Sequence, residues 1–344
     1  MHHAMKFDTA LLLPKLSDMA AYVQAAEAIG FDGIWTSETN ADPFLPLALA
    51  AEHSQRVTLG TAIAVAFPRS PMTLAYMAWD LARYSNGRFI LGLGTQVKAH
   101  NERRFGVKWE KPVRKLRETI EAMHAICDCW QNGTPLDYQG EFFQLNLMTP
   151  FFSSGPLPTG RPPVYISAVN QNMLRLAGRL CDGVHIHAFH TPRYLREVAL
   201  PELETGLSDS NRSRADLQIN TSIFVIPTDD TKPAAAHELF AKQQLSFYMS
   251  TPAYRIVVEL HGWQETAWKL SKMARRGEWE QMPHAISDEI LAEFAVSGSW
   301  ADLPGKIKAR YAGGLLDRLS YYVPFNPGEN DAAWRTTIEK FRQG

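Results

Sequence analysis

The sequence predicts a (β/α)8 TIM barrel, in which eight parallel strands close into a ring and helices follow the strands. Short apolar runs alternate with amphipathic helical segments from residue 7 to residue 322, and eight of the runs are strand-like. No hairpin joins the first four strand and helix units, which favours parallel strands. The length of 344 residues suits one barrel with additions, and no Ser/Gly-rich or charged linker divides the chain. We therefore expect a single domain over residues 1–344.

Four strand and helix units make up the first half of the predicted barrel. The first strand is buried, and its helix starts with Ser17 as N-cap and stops at Gly30. The predicted strands are residues 7–13, 33–37, 57–62 and 89–93, and the predicted helices are residues 17–29, 46–52, 72–84 and 113–130.

The second half adds four strands and two segments outside the ring. A polar and aromatic hairpin at residues 138–142, with Gly140 in its turn, decorates the barrel. Residues 227–299 are a mainly helical insertion before the last strand, where an insertion lies near the active face and acts as a lid. Its Trp263, Trp268 and Trp279 either belong to that lid or merely anchor helices. The predicted strands are residues 164–167, 183–187, 217–226 and 318–322, and the predicted helices are residues 171–180 and 192–204.

The composition favours a small-molecule partner. With 35 Lys and Arg against 36 Asp and Glu, the chain has no overall field for nucleic acid or for an anionic membrane. No apolar run reaches the ~18 residues of a membrane span. Cys127, Cys129 and Cys181 are too few and too scattered for a disulfide framework or a zinc ribbon. We interpret them as packing residues of a cytoplasmic protein.

Glycines, which have no side chain, occur at or near the ends of two neighbouring predicted strands. They are Gly60 in the third predicted strand and Gly92 and Gly94 at the end of the fourth. One interpretation is that a flat ligand lies against these strand ends, and the other is that the glycines permit a tight turn or close packing. The pattern is a poor dinucleotide fingerprint, because no third glycine opens a helix that would bind a pyrophosphate.

His185 and His187 lie two apart on a predicted strand, so their side chains share a face. Two such histidines could ligate one metal ion, but the first strand has no matching pair and Asp317 precedes the last strand, at its wrong end. We therefore predict no metal site. Both histidines are instead candidates for lining the pocket of an organic ligand, with packed or solvated histidines as the alternative.

Glu38, Thr39 and Asn40 follow the second strand, at the face where barrel active sites form. A carboxylate there could hydrogen-bond a heteroaromatic ring or take part in proton transfer. The alternative is that Thr39 or Asn40 caps a short helix. The sequence has no G-x-S-x-G nucleophile elbow and no P-loop, so covalent hydrolase chemistry is not favoured.

Several stretches together resemble one family. They are FDGIWTSE, then RVTLGTAIAVAFPRSPMTLAYMAWDLARYSNGRFILGLGT, the hairpin at residues 138–145, PVYISAVNQNMLRLAGRLCDGV and ILAEFAVSGSWADLPGKIKARYAGGLLDRLSYYVP. Over almost its whole length the chain is similar to the bacterial-luciferase-like monooxygenases. Within that superfamily it most resembles the oxidoreductases that use the deazaflavin coenzyme F-420.

The resemblance implies a cofactor site. Family members hold a tricyclic ring at the carboxyl mouth of the barrel, against a bulge of the third strand that often contains a non-proline cis peptide. Here that bulge falls at Ala62-Ile63. The phosphate is expected before the helix that starts at Gln171, because a helix N-terminus attracts anions. The cofactor positions are Glu38, Thr61, Ala62, Ile63, Gly94, Thr95, Gln96, Asn101, Ala168, Val169 and Asn170, and the substrate pocket positions are Phe44, His100, His185 and His187.

Two departures from the family's pattern bear on the activity. The sugar-phosphate dehydrogenases of the family carry an Asp-His pair after the second strand, where this chain has Glu38-Thr39, and this argues against that activity. The phosphate turn, often Gly-Gly in relatives, is Val169-Asn170 here. A set of basic residues either meets the acidic tail of the coenzyme or forms a solvated face, namely Arg69, Lys98, Arg103 and Arg104.

The resulting expectation is a cytoplasmic enzyme that exchanges a hydride between coenzyme F-420 and an unidentified organic substrate. Its catalytic candidates are Glu38, Thr39 and Asn40. The alternatives are a two-component monooxygenase that uses reduced FMN and oxygen, a catalytically silent protein that carries a flavin-type cofactor, and a zinc barrel hydrolase. Relatives are usually dimers, and the apolar helix at residues 46–51 also favours a homodimer.

Overall fold

The computed structural model describes residues 5–11 and 15–343. The strands in this part of the chain are β1 (Lys6–Leu11), β2 (Gly33–Thr36), β3 (Thr58–Thr61), β4 (Ala64–Val65), β5 (Phe89–Gly94), β6 (Tyr138–Gln139), β7 (Gln144–Leu145), β8 (Val164–Ala168), β9 (Gly183–Ile186), β10 (Gln218–Pro227), β11 (Ala295–Gly298) and β12 (Arg318–Tyr321).

Within the described residues, eight parallel strands close into a barrel, and this confirms the predicted fold class. The ring runs β1, β2, β3, β5, β8, β9, β10 and β12, and β12 pairs with β1 to close it. The pair β6 and β7 is the predicted antiparallel hairpin. The carboxyl ends of the eight ring strands meet at one face, which we call the mouth.

Helices surround the ring. They are α1 (Met19–Ile29), α2 (Leu45–Glu52), α3 (Pro71–Tyr84), α4 (Lys98–Arg103), α5 (Pro112–Asn132), α6 (Gln171–Leu180), α7 (Pro192–Tyr194), α8 (Leu200–Ser208), α9 (Ala234–Met249), α10 (Arg255–His261), α11 (Gln264–Arg275), α12 (Asp288–Phe294), α13 (Leu303–Arg310) and α14 (Asp331–Arg342). A π-helical turn joins α7 to α8, so the predicted helix at 192–204 is one continuous segment of mixed pitch.

The boundaries differ from the predictions in a few places. The predicted N-cap Ser17 lies in a 3-10 turn that precedes α1, and its hydroxyl donates to the Asp18 carboxylate (2.8 Å) instead of accepting from the helix. Residues 12 and 13 of the first predicted strand lie outside the described residues. The strand β11 was not predicted, because its four residues pair only with the extension of β10 beyond the ring.

The insertion (residues 227–299) contains α9 to α12 and β11. Its Trp263 is partly buried and stacks on His261, with ring centroids 4.2 Å apart. Trp268 and Trp279 are exposed. The anchoring interpretation therefore fits Trp263 best, while Trp279 has one aromatic contact, with Phe247 of α9 (6.3 Å between centroids).

A buried ion pair crosses the interior of the barrel. The guanidinium of Arg318 donates twice to the carboxylate of Asp8, at 2.8 Å each, and Trp35 Nε1 donates to the same carboxylate at 2.8 Å. Asp8 and Arg318 are each only 1% exposed. Since both side chains are buried, each charge is compensated mainly by the other, and removal of one partner would leave a buried charge unpaired.

All three cysteines are buried, as packing residues are. None of the helices in the described ranges is both long enough and apolar enough to cross a membrane.

Candidate active site

The mouth is the part of the barrel where burial gives way to partial exposure. The ring strands are buried along most of their length, but each has a partly exposed residue near its carboxyl end. These residues are Ala10, Ser37, Ala62, Thr95, Ser167, His187, Ser222 and Tyr322. Small and polar side chains dominate this set, and it lies at the face where barrel active sites form.

The most distinctive feature of the mouth is a bulge between β3 and β4. The peptide bond Ala62-Ile63 is cis, which confirms the prediction drawn from the resemblance. The end of β2 holds the bulge from the side. Ser37 Oγ donates to the Ala62 carbonyl (2.8 Å), the Glu38 N–H donates to the Ile63 carbonyl (3.1 Å), and the Ala62 N–H donates to the Thr36 carbonyl (2.6 Å). The backbone at this point therefore has a fixed shape.

The two glycines of β5 make room for this bulge. A Cβ on Gly92 would lie 1.8 Å from the carbonyl oxygen of Thr61, and a Cβ on Gly94 would lie 2.7 Å from the side chain of Ile63 and 2.8 Å from Ser167 Oγ. Thr61 Oγ1 also bonds both backbone groups of Gly92, at 2.7 and 2.9 Å. Close packing, the second interpretation of the glycine pattern, therefore explains these positions.

Glu38 is placed at the mouth, but its carboxylate already has partners. It accepts from both terminal nitrogens of Arg69, at 2.7 and 3.1 Å, and from the backbone N–H of Val65 (2.7 Å). Its side chain is only 7% exposed. Arg69 also reaches Asp42 (3.4 Å) and lies over the ring of the buried Phe44 (5.4 Å). The Glu38–Arg69 pair thus ties the end of β2 to β4, directly beside the bulge.

Changing Glu38 to Gln tests what this carboxylate does. The amide oxygen still accepts from the Val65 N–H, while Arg69 loses the closer of its two charged partners and keeps Asp42. We expect the free energy of unfolding to fall by about 1–3 kcal/mol in urea titrations, with cofactor binding retained. Normal binding combined with lost turnover would instead assign Glu38 a part in proton transfer.

Thr39 and Asn40 lie in the exposed loop after β2. Thr39 Oγ1 donates to Asn40 Oδ1 (3.2 Å), and Arg104 bonds the Thr39 carbonyl. Neither side chain caps α2, because Asp42 does so through the N–H groups of Phe44 (2.8 Å) and Leu45 (3.1 Å).

The loop after β5 is organised by Asn101, which is fully buried. Its Nδ2 donates to the carbonyls of Thr95 (2.8 Å) and Val97 (3.1 Å), while Oδ1 has no partner among the described residues. Gln96 has a positive φ of 58°. Three predicted cofactor positions thus lie together at the mouth, whereas His100, on the same loop, is exposed.

The predicted phosphate turn follows β8. Asn170 is the N-cap of α6 with an extended backbone (φ −95°, ψ 152°), but its side chain makes no capping hydrogen bond. Tyr194 OH donates to the Val169 carbonyl (2.5 Å) and fixes the turn. The first N–H groups of α6 have no side-chain cap, so they can receive an anion.

The structure separates the two predicted pocket histidines. His185 is buried in the barrel interior below the mouth, where its ring meets Trp35 edge-on at 4.9 Å and Tyr165 at 5.3 Å. Asn220 Nδ2 lies 3.2 Å from its Nδ1. Burial, reinforced by the Arg318 charge, lowers the pKa of His185 to about 3, so the ring is neutral.

His187 reaches the mouth and meets the insertion. Its ring lies edge-on to Tyr248 (4.5 Å between centroids) and against Tyr254 (4.6 Å). Tyr248 and Tyr322 hydroxyls are 2.6 Å apart, and Gln244 Oε1 lies within 3.4 Å of both. Apart from His187, the sequence analysis did not single out these residues. Alternation along β9 places His187 there, but no pattern indicated which insertion residues would face it.

Within residues 5–11 and 15–343, no three His, Cys, Asp or Glu side chains are grouped so that they could hold a metal ion. His185 and His187, the histidines that suggested a zinc hydrolase, are therefore not part of such a group in that part of the chain.

Comparisons with known proteins place this geometry in a family. An uncharacterized protein of Mycobacterium tuberculosis (strain H37Rv) is 44% identical over 329 residues, which cover 96% of each chain. The 5,10-methylenetetrahydromethanopterin reductase of Archaeoglobus fulgidus is 29% identical over 302 residues, 85% of this chain and 86% of that protein. The solved structure of the coenzyme F-420-dependent tetrahydromethanopterin reductase of Methanopyrus kandleri has a TM-score of 0.78 at 22% identity, over 98% of both chains.

A family model described as luciferase-like monooxygenase matches residues 1–318. The match covers most of the chain, from the start to the first residue of β12, and the relatives just described are consistent with it. The chain therefore belongs to the luciferase-like monooxygenases and is an enzyme of that family.

Proposed function

We propose that this enzyme transfers a hydride between coenzyme F-420 and a small organic substrate bound at the mouth. The bulge at Ala62-Ile63 carries the proposal. Its backbone is held by hydrogen bonds from the end of β2, and Ala62 and Ile63 are partly exposed at the carboxyl end of the ring. A rigid, partly exposed backbone of this kind suits contact with the face of a flat ring. The reductases of Archaeoglobus fulgidus and Methanopyrus kandleri support an oxidoreductase of this type.

The residues at the mouth fit the cofactor in two further places. The buried Oδ1 of Asn101 lacks a partner among the described residues, beside the loop that contains Thr95 and Gln96. The N-terminus of α6 offers uncapped N–H groups to a phosphate. In this proposal Ala62, Ile63 and residues 94–96 contact the ring and the ribityl chain, and residues 168–170 hold the phosphate. The deazaflavin supplies a hydride, and the protein supplies orientation and exclusion of water.

The contacts of Glu38 support a positioning role, because Arg69 and Val65 already use its carboxylate. It would orient the bulge against the ring. Thr39 and Asn40 remain candidates for contact with the substrate or with solvent. Both residues are exposed, and their hydroxyl and amide groups can hydrogen-bond to water beside the mouth.

Replacing Gln171 by proline tests the phosphate position. Proline is tolerated at the first position of a helix, and Asn170 already has the extended backbone that precedes a proline. The change removes one N–H donor and leaves the helix intact. We expect affinity for coenzyme F-420 to fall about tenfold, which corresponds to one charge-assisted hydrogen bond, while stability is unchanged. Gln171→Ala keeps the N–H and is the control. Equal affinities of the two variants would place the phosphate elsewhere.

A two-component FMN-dependent monooxygenase is the second candidate, and the description of the matching family model favours it. Reduced coenzyme F-420 that is oxidised by a panel of aldehydes and ketones without oxygen would support hydride transfer. Substrate-dependent oxygen uptake with reduced FMN would support the monooxygenase. Tight cofactor binding without either reaction would point to a carrier protein.

The single-domain organisation, with residues 227–299 as a lid, stays a proposal. So do the cytoplasmic location and the homodimer. For the dimer, Leu45 and Leu49 are exposed on the apolar α2. Analytical ultracentrifugation of the purified protein would show a single species of twice the chain mass if the dimer forms.

A further inference from the structure

One side of the mouth is an aromatic wall made of His187, Tyr248, Tyr254 and Tyr322. The wall joins the ends of β9 and β12 to the insertion. The ring of His187 packs against two neighbouring tyrosines, with ring centroids 4.5 Å from Tyr248 and 4.6 Å from Tyr254. These contacts, together with the hydrogen bond at Nδ1, keep its nitrogen atoms in a fixed direction, as a preorganised hydrogen-bond donor requires.

The hydrogen bonds of His187 decide which nitrogen carries the proton. The backbone N–H of Phe189 donates to Nδ1 (3.0 Å), so Nδ1 must be an acceptor. Burial, with a smaller effect of His190, lowers the pKa of His187 to about 3, so the ring is neutral near pH 7. The single proton of the neutral ring is therefore on Nε2. Nε2 has no hydrogen-bond partner among the described residues, and His187 as a residue is of intermediate exposure.

The other polar groups around the wall are neutral or already paired. Tyr248 and Tyr322 share a hydrogen bond of 2.6 Å, with Gln244 as the acceptor for the remaining proton. Ser222 and Ser320 hydroxyls bond each other at 2.7 Å. Tyr254 OH, like His187 Nε2, has no partner in the described part of the chain.

The aromatic wall itself carries no positive charge, because His187 is neutral and the other three residues are tyrosines. A phosphate or carboxylate of the substrate that lay against the wall would therefore lose its hydration without gaining a cationic partner there. An uncharged planar molecule with one acceptor atom matches the two unpartnered donors and the aromatic faces.

We propose that the Nε2–H of His187 polarises the carbonyl oxygen of an uncharged, planar aldehyde or ketone, and that Tyr254, whose ring packs against His187, supplies a proton to that oxygen. The inference rests on the proposed hydride transfer. The carbonyl carbon accepts the hydride from the reduced deazaflavin, and the π-electron pair of the C=O bond moves to oxygen. The oxygen then takes the proton of the Tyr254 hydroxyl, which water restores. His187 keeps its proton throughout and stabilises the developing negative charge, as a neutral imidazole can.

A chromophoric aldehyde tests this without any cofactor. The probe is 4-(dimethylamino)cinnamaldehyde, whose long-wavelength absorption band moves to longer wavelength when its carbonyl oxygen is strongly hydrogen-bonded. Purified full-length protein is titrated with the probe. We expect saturable binding with a red shift for the wild type, loss of most of the shift in His187→Phe, and a partial shift in His187→Gln, which retains an N–H donor. Tyr254→Phe should show a smaller shift than the wild type.

His53→Phe is the matched control, because His53 is exposed at the end of α2, away from the wall. It should behave like the wild type. An unshifted band on the wild type, no binding of the probe, or a full shift in His187→Phe would each overturn the proposal. Since the probe needs no cofactor, these outcomes are independent of the cofactor titrations that test the proposed hydride transfer.

Discussion

Replacing Asp8 by alanine is expected to lower the free energy of unfolding by about 3–5 kcal/mol. The carboxylate of Asp8 neutralises Arg318 in the barrel interior and accepts from Trp35 Nε1. Without it, the guanidinium stays buried as an unpaired charge, because Arg318 is 1% exposed. Urea unfolding followed by tryptophan fluorescence measures the loss.

Two further variants make this result specific. Asp18→Ala removes an exposed aspartate before α1 and should change stability by less than about 0.5 kcal/mol. Arg318→Met in the Asp8→Ala background removes the unpaired charge and should restore part of the loss. If Asp8→Ala were no more destabilising than Asp18→Ala, the buried pair would not have the importance assigned to it.

Gly92→Ala is expected to cost about 3 kcal/mol of stability and to weaken cofactor binding. The new Cβ would lie 1.8 Å from the Thr61 carbonyl oxygen, which is backbone and can yield only if β3 moves away from β5. Such a movement also displaces the adjoining bulge at Ala62-Ile63. Urea unfolding and a coenzyme F-420 titration measure the two effects.

Gly305→Ala is the matched control for this change. Gly305 lies inside α13, and a Cβ there would meet nothing within 4 Å. Since alanine is the better helix former, we expect unchanged or slightly higher stability and normal cofactor binding. Equal behaviour of the two variants would mean that the β3–β5 contact tolerates a methyl group and that the bulge does not depend on Gly92.

The ring of the barrel could be predicted because its signals are local. Each strand of the ring is a short apolar run. Most helices of the barrel begin or end at a Gly, Pro or Ser, such as Ser70, whose hydroxyl caps α3 by accepting from the Thr73 N–H (3.1 Å). The strand β11 was not predicted because it lies outside the ring and pairs only with the end of β10. Short strands of this kind are specified by their partner and not by their own residues.

The candidate site was predictable in position but not in contacts. Strand order placed Glu38 and His187 at the mouth, and the resemblance placed the bulge at Ala62-Ile63. The pairing of Glu38 with Arg69 joins residues 31 apart in the sequence, and no local pattern indicates it. The same is true of Tyr248 and Tyr322, whose hydroxyls meet across 74 residues. Alternation along β9 likewise cannot tell that His185 lies one layer below His187, inside the core.

The most direct test of the account is an equilibrium titration of the purified protein with coenzyme F-420 and, separately, with FMN, followed by fluorescence and absorbance. We predict that the deazaflavin binds tightly and that FMN binds more weakly. Stronger binding of FMN would contradict hydride transfer from coenzyme F-420 and favour the oxygen-using branch of the family. Binding of neither would contradict the assignment of the bulge and the α6 N-terminus as a cofactor site.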